Sequence, residues 1–306
     1  MKNINLSIEI GKLKLKNPVL VCSGTFGYAE EFVDFIDLKK LGAIVTKTIT
    51  LKPRIGNLPP RTCETPAGML NSIGLENPGL EVFIKEKLPF LKKLGVPIIL
   101  SIASEEEPQE FIELVTRLDK IEEVAAIELN ISCPNVKGRK HLISQDPLAT
   151  KEIVSEIREI TKKTLITKLS PNVTSIVEIA QAAQDGGSDA VSLINTLSGM
   201  SIDVDKRIPK IASISAGLSG PAIRPVAVKM VWDTFNKIKI PIIGMGGIMD
   251  AASALEFIIA GASAVAIGTA NFINPKVSEE IILGLKEYLE RNKISNIKEL
   301  VGSLKV

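Results

Sequence analysis

Cys133 lies in "ELNISCPNVKGRKHLISQDP", Glu128 to Pro147, where a short apolar run ends at Asn130 and a basic loop begins. A thiol at a strand end can act as a nucleophile or as a proton acceptor. An unperturbed cysteine, with a pKa of about 8.5, is only a few per cent thiolate at pH 7, and nearby lysines raise that fraction. The chain has two other cysteines. Cys22 reads as a buried structural thiol, and Cys63, in "RTCETPAGM", as an inert loop residue. Cys133 differs because it shares its loop with Asn130 and Asn135.

Three further sets of residues have chemistry to offer. Gly246-Gly247 and Gly268-Thr269 each follow an apolar run, and Gly220 lies in "GLSGPAIRP". Glycine lets backbone N–H groups approach a phosphate closely, although any one such pair is also ordinary turn chemistry. Lys47 and Lys168 each close a strand-like run. A cation there would stabilise a reduced flavin, if one is bound, or would simply be a solvated loop residue. Asn71, Asn130 and Asn195, the last followed by Thr196, fall at predicted loops or strand ends. Asparagine offers a donor and an acceptor, which suits a planar ligand with amide edges and equally suits a turn.

The elements that must position these residues are legible as alternation. Strand-like runs cover Val19–Val21, Ala43–Thr46, Pro97–Ile102, Ala125–Leu129, Leu165–Leu169, Ala190–Ile194, Pro241–Gly244 and Ala264–Ile267. They are nearly continuously apolar, as strands buried on both faces are. Amphipathic patterns such as "DPLATKEIVSEIREITKK" and "VTSIVEIAQAAQDGG" separate them. The alternation predicts an α/β fold, a (β/α)8 TIM barrel, with Ile4–Ile10 and Leu13–Leu15 as an N-terminal β-hairpin over its N-terminal end. No linker or composition shift divides residues 1–306, so a single barrel domain is expected. Chemistry in such a barrel sits at the C-terminal ends of the strands, and phosphate sites follow the last two. The candidate residues fall at those ends.

Composition removes several classes. Basic residues (37) nearly balance acidic ones (35), so neither nucleic acid nor an anionic membrane is an expected partner. Three scattered cysteines give no disulfide framework or C-x-x-C metal site and fit a reducing cytoplasm. With His141 the only histidine, no metal site and no Ser-His-Asp triad is expected. No signal-peptide pattern opens the chain. The most apolar window, Ala254 to Ile273, is broken by Glu256, Gly261 and Gly268, and reads as a buried helix followed by a buried strand.

"NISCPNVKG", "GMLNSIGLENPG", "GLSGPAIRP" and "GMGGI", in this order between Pro18 and Phe272, resemble the dihydroorotate dehydrogenase family. Cysteine in the S-C-P-N position resembles the cytosolic class 1 enzymes, and "SCPNVKG" with the later "LSPNV" resembles the class 1B catalytic subunit. The resemblance implies one FMN per chain, at the barrel mouth. FMN contacts would be Ser23, Lys47, Thr48, Ser101, Asn130, Lys168, Ile194, Gly220, Gly246, Gly247, Gly268 and Thr269. Substrate contacts would be Lys47, Asn71, Ser72, Ile73, Gly74, Leu75, Asn130, Asn195 and Thr196, with Cys133 as the general base. Two departures stand out: Ser101 replaces an asparagine, and "GRKHLISQ" lacks the Gly-rich, aromatic continuation expected of class 1B.

The implied activity is oxidation of dihydroorotate to orotate in pyrimidine (UMP) biosynthesis. NAD as final oxidant requires a relay, because the chain has neither a G-x-G-x-x-G after an early strand nor cysteines for an iron–sulfur cluster. The resemblance places FAD and [2Fe–2S] on a partner subunit, in a heterotetramer of two catalytic and two relay chains around a homodimer core. Rival readings are a fumarate-using class 1A enzyme, a dihydropyrimidine-type dehydrogenase, a non-redox phosphate-binding barrel and a non-catalytic binding subunit.

Overall fold

The structure, a computed structural model, describes residues 4–104, 108–132 and 143–306. Its strands in chain order are β1 (Ile8–Ile10), β2 (Leu13–Leu15), β3 (Val19–Val21), β4 (Ala43–Val45), β5 (Thr62–Thr65), β6 (Gly68–Asn71), β7 (Ile98–Ile102) and β8 (Val124–Asn130). They continue with β9 (Thr164–Lys168), β10 (Ala190–Leu193), β11 (Leu197–Gly199), β12 (Ile202–Asp203), β13 (Ile208–Pro209), β14 (Ala216–Ser219), β15 (Ile242–Met245) and β16 (Ala264–Ile267).

Eight of them close into a parallel barrel in the order β3, β4, β7, β8, β9, β10, β15, β16 and back to β3. Chain order is therefore order around the barrel. Each predicted barrel strand is present, with ends shifted by a residue or so, whereas the first hairpin strand, expected over Ile4–Ile10, covers only Ile8–Ile10. Sequences such as "VLV" and "AVAI" are buried along their whole length, because helices cover one face and the interior the other. Helix starts are capped close to the mouth. Asp146 accepts from Leu148 and Ala149 N–H at the head of Pro147–Ile160, and Asp250 accepts from Ser253 N–H at the head of Ala251–Ala260. The apolar window resolves into the helix Ala251–Ala260 and strand β16. Among the described residues no helix is long and apolar enough to cross a membrane.

The β1–β2 hairpin pairs Ile8 with Leu15 and Ile10 with Leu13, all four buried. It sits at the N-terminal end of the barrel: Lys12 N–H donates to Thr164 Oγ1 at 3.0 Å and Lys12 Nζ to the Lys162 carbonyl at 2.9 Å.

A second, antiparallel sheet, β11-β14-β6-β5, is absent from the sequence reading. It joins an insertion after β4 to one after β10. Its strands are only half-buried and share a small core of Leu70, Ile211 and Ala216, so they carry no long apolar run to announce them. Asn71 pairs in register with Gly217, which sets this sheet as a wall over the C-terminal mouth.

Candidate active site at the barrel mouth

Two adjoining compartments occupy the mouth and share Gly24, Asn71, Ile73, Lys168, Asn195 and Thr196. The first is walled by Ile194, Gly220, Gly246, Gly247, Gly268 and Thr269, together with Cys22 and Met245. The second is walled by Ser23, Lys47, Thr48, Ser72, Gly74, Leu75, Asn130 and Ser132. Every site residue expected from sequence lines one of them, except two. Ser101 is fully buried with its hydroxyl 2.9 Å from Thr48 Oγ1, behind the wall. Cys133 and His141 lie outside the described residues.

Backbone builds the first compartment. Gly247 adopts φ +77°, and a Cβ there would lie 2.7 Å from the Gly220 carbonyl oxygen and 2.8 Å from Arg224 Cβ. Two loops meet at that point with no room for a side chain. Thr269 Oγ1 donates to Ser219 Oγ at 2.8 Å and ties a third loop to them. Gly268 is different. Its φ is not left-handed, and a Cβ would meet only Cys22, at an ordinary 3.6 Å. Neither backbone nor packing demands glycine at 268. The compartment it faces does, if a ligand fills it.

Side chains build the second compartment. Lys47 is anchored by its own N–H to the Gly27 carbonyl at 2.8 Å. Burial holds its ammonium below the usual lysine range; Glu76 pulls the other way, and Lys168 and Arg61 add to the lowering. Two cations, Lys47 and Lys168, thus line one concave surface, with Arg61 near enough to act on Lys47, which favours an anion there. Arg61 is itself held by Glu76 and by the Asn57 and Ile55 carbonyls.

The asparagines serve turn and ligand together. Asn130 Oδ1 accepts from Ser132 N–H at 3.3 Å and Asn195 Oδ1 from Thr196 N–H at 2.8 Å. Their oxygens are engaged in turns, which aims both NH2 groups as donors. Asn71 Nδ2 reaches the Gly217 carbonyl at 3.4 Å, which leaves its oxygen as an acceptor.

Two residues escaped sequence reasoning. Asn57 donates to Ser72 O at 3.1 Å and Ser72 Oγ at 2.8 Å, and packs so closely on Gly74 (φ +74°) that a Cβ there would lie 2.5 Å from Asn57 Oδ1. Asn172 bridges Thr196 O (3.1 Å) and Ser198 N–H (2.9 Å). Nothing local in "IGNLPP" or "SPN" marks either asparagine as a loop brace, because the partners lie 15 residues away for Asn57 and 24 and 26 residues away for Asn172. Cys22 sits where a structural thiol would. Desolvation pushes its pKa up to about 12, with Lys168 lowering and Glu128 raising it, so it stays an unreactive thiol.

The residues present fit a flavin mononucleotide. A glycine cradle with two hydroxyls suits the phosphate, and Lys168 at the junction suits a ring that gains negative charge on reduction.

The sequence matches the family model described as "Dihydroorotate dehydrogenase" over residues 5–289. It is 53% identical over 300 residues, 98% of each chain, to "Dihydroorotate dehydrogenase B (NAD(+)), catalytic subunit" of Geotalea uraniireducens. It is 52% identical over 303 residues to the protein of that name in Thermoanaerobacter pseudethanolicus (99% of this chain, 100% of the other). Over 306 residues, all of both chains, it is 50% identical to that of Geobacter sulfurreducens.

Proposed function

This chain belongs to the dihydroorotate dehydrogenase family, and from that premise we propose that it is an FMN-dependent enzyme oxidising dihydroorotate to orotate, with NAD as final acceptor through a partner subunit. One observation carries the reading: a glycine-and-hydroxyl compartment adjoins a cation-and-amide compartment, and Lys168 belongs to both. That is the surface needed to hold a phosphorylated ring cofactor against a small planar carboxylate.

Gly220, Gly246, Gly247, Gly268 and Thr269 would hold the FMN phosphate, and Ser23, Lys47, Thr48, Asn130, Lys168 and Ile194 its ring and ribityl chain. Ser101 would act only through Thr48. The bound flavin supplies a hydride acceptor for C6 of dihydroorotate. Lys47 and the Asn71–Leu75 loop would bind the substrate carboxylate. Asn71, Asn130, Asn195 and Thr196 would hold the pyrimidine edges in register. Cys133 takes the proton from C5, so that loss of one hydride and one proton creates the C5–C6 double bond.

The relatives' name, catalytic subunit, supports a second polypeptide. FAD and a [2Fe–2S] cluster on that subunit, a two-plus-two heterotetramer around a homodimer core, a single catalytic domain and a cytoplasmic location complete the proposal. Anaerobic dihydroorotate should bleach the flavin of the yellow purified chain, which alone reduces a dye but barely reduces NAD. A colourless protein would instead support a non-redox barrel, and turnover with fumarate a class 1A enzyme. Cys133→Ala should keep FMN and orotate binding and slow flavin reduction about 10²–10⁴-fold. Near-normal reduction would remove Cys133 as the base.

A further inference from the structure

Two charged residues are buried among those described: Glu128, 1% exposed, and Lys168, 7% exposed. They lie on adjacent barrel strands. Register puts Lys168 level with Asn130 of β8 on one side and with Ser192 of β10 on the other. Lys168 and Asn130 both line the mouth. Glu128, two residues before Asn130, therefore shares its inward face, one layer deeper. Ser192 Oγ donates to Glu128 Oε2 at 2.9 Å, so this contact spans β9 on the interior side, just below Lys168. Glu128 Oε1 is buried and, among the described residues, has no hydrogen-bond partner. A carboxylate placed so deep, with one oxygen unpaired among the described residues, is costly to keep.

Resting on the reading that FMN occupies the mouth, we propose that Glu128 is a positioning residue for the redox step: a fixed internal counter-charge, held by Ser192, that offsets Lys168 at the base of the site and so limits how strongly the protein favours reduced flavin. In a low-dielectric interior such a charge acts over several ångströms with little screening. Both charges reach the first compartment, since Lys168 and Glu128 act in opposite senses on the Cys22 thiol there. The counter-charge keeps the site able to pass its electrons on, where an unopposed lysine would hold them.

The test uses the FMN-loaded protein. The two-electron midpoint potential of Glu128→Gln is measured by anaerobic equilibration with a reference dye, against the wild type. The isosteric amide keeps the Ser192 contact and removes the charge. Its potential should rise by at least about 30 mV, a tenfold shift toward reduced flavin, with FMN still bound one per chain. Glu128→Met, which removes the charge and leaves no buried amide unpaired, should raise the potential in the same direction. It carries the test if Glu128→Gln does not fold. A potential unmoved or lowered, with FMN bound normally, overturns the proposal, because a merely structural Glu128 would affect stability and leave the potential alone. A wild-type chain that binds no FMN removes the functional reading and this proposal together.

Discussion

The two compartments of the mouth use opposite materials. The glycine compartment is made of backbone: loops from β14, β15 and β16 brought within contact distance, with Gly247 at the tightest point. The cation compartment is made of side chains: Lys47, Lys168 and three asparagines, steadied by the second sheet and by Asn57. A backbone site recognises a group many ligands share, such as a phosphate. A side-chain site recognises one molecule, because its donors, acceptors and charges are set individually. On the proposed reading, the FMN phosphate belongs to the first, and the substrate carboxylate to the second, beside the flavin ring.

The largest test is on the side-chain compartment. Lys47→Met should weaken orotate binding by about 2–5 kcal/mol, some 30-fold or more, and leave the phosphate end unaffected. Fluorescence titration with orotate checks it, and an equal loss of FMN would erase the distinction between compartments.

Gly247 and Gly268 sharpen the comparison within the backbone compartment. Gly247→Ala forces an L side chain into a left-handed conformation and into the Gly220 carbonyl, and should destabilise even the flavin-free protein by about 1–3 kcal/mol. Gly268→Ala has room in the protein itself, so its flavin-free stability should stay within about 0.5 kcal/mol of wild type. Its FMN affinity should nevertheless fall. Thermal melts and flavin titration of the two variants separate them, and equal melting losses would contradict the assignment of Gly268 to ligand space.

The lowered Lys47 pKa gives a pH signature. With Lys47 as the proposed partner of the substrate carboxylate, orotate affinity should fall as pH rises, beginning below the ordinary lysine value of 10.5. In the free protein the sign is reversed for stability. Between the lowered folded pKa and 10.5 the unfolded chain binds the extra proton, so stability relative to Lys47→Met should rise with pH there. Paired denaturation curves across alkaline pH check this. The smallest effect belongs to Asn57→Ala, which loosens the Ser72–Gly74 loop by about 0.5–1.5 kcal/mol. It should raise KM for dihydroorotate a few-fold with FMN binding intact.

Much of this molecule is legible without coordinates, and the reason is burial. A barrel strand covered on both faces must be apolar throughout, so Val19–Val21 and Ala264–Ile267 announce themselves. Once the alternation is read as a barrel, geometry puts chemistry at the strand ends, and Lys47, Asn130, Lys168, Gly246 and Gly268 follow. The identity of residues at those ends is a local property, visible in one dimension.

What tertiary structure alone decides is which distant residues meet. The second sheet stayed hidden because its short, half-exposed strands gain their partners across an insertion of the chain: Asn71 finds Gly217 at a separation of 146 residues. Asn57 has no local signal, and its role shows only when its amide is seen on Ser72. Glu128 stands in plain view as an acid within "VAAIELN", yet its meaning comes from Ser192, 64 residues later, across an intervening strand. Apolar patterning records whether a residue is buried, because burial is imposed on each residue singly. Pairing in the interior is imposed by closure of the barrel, and a polar side chain there has the partner that closure brings to it.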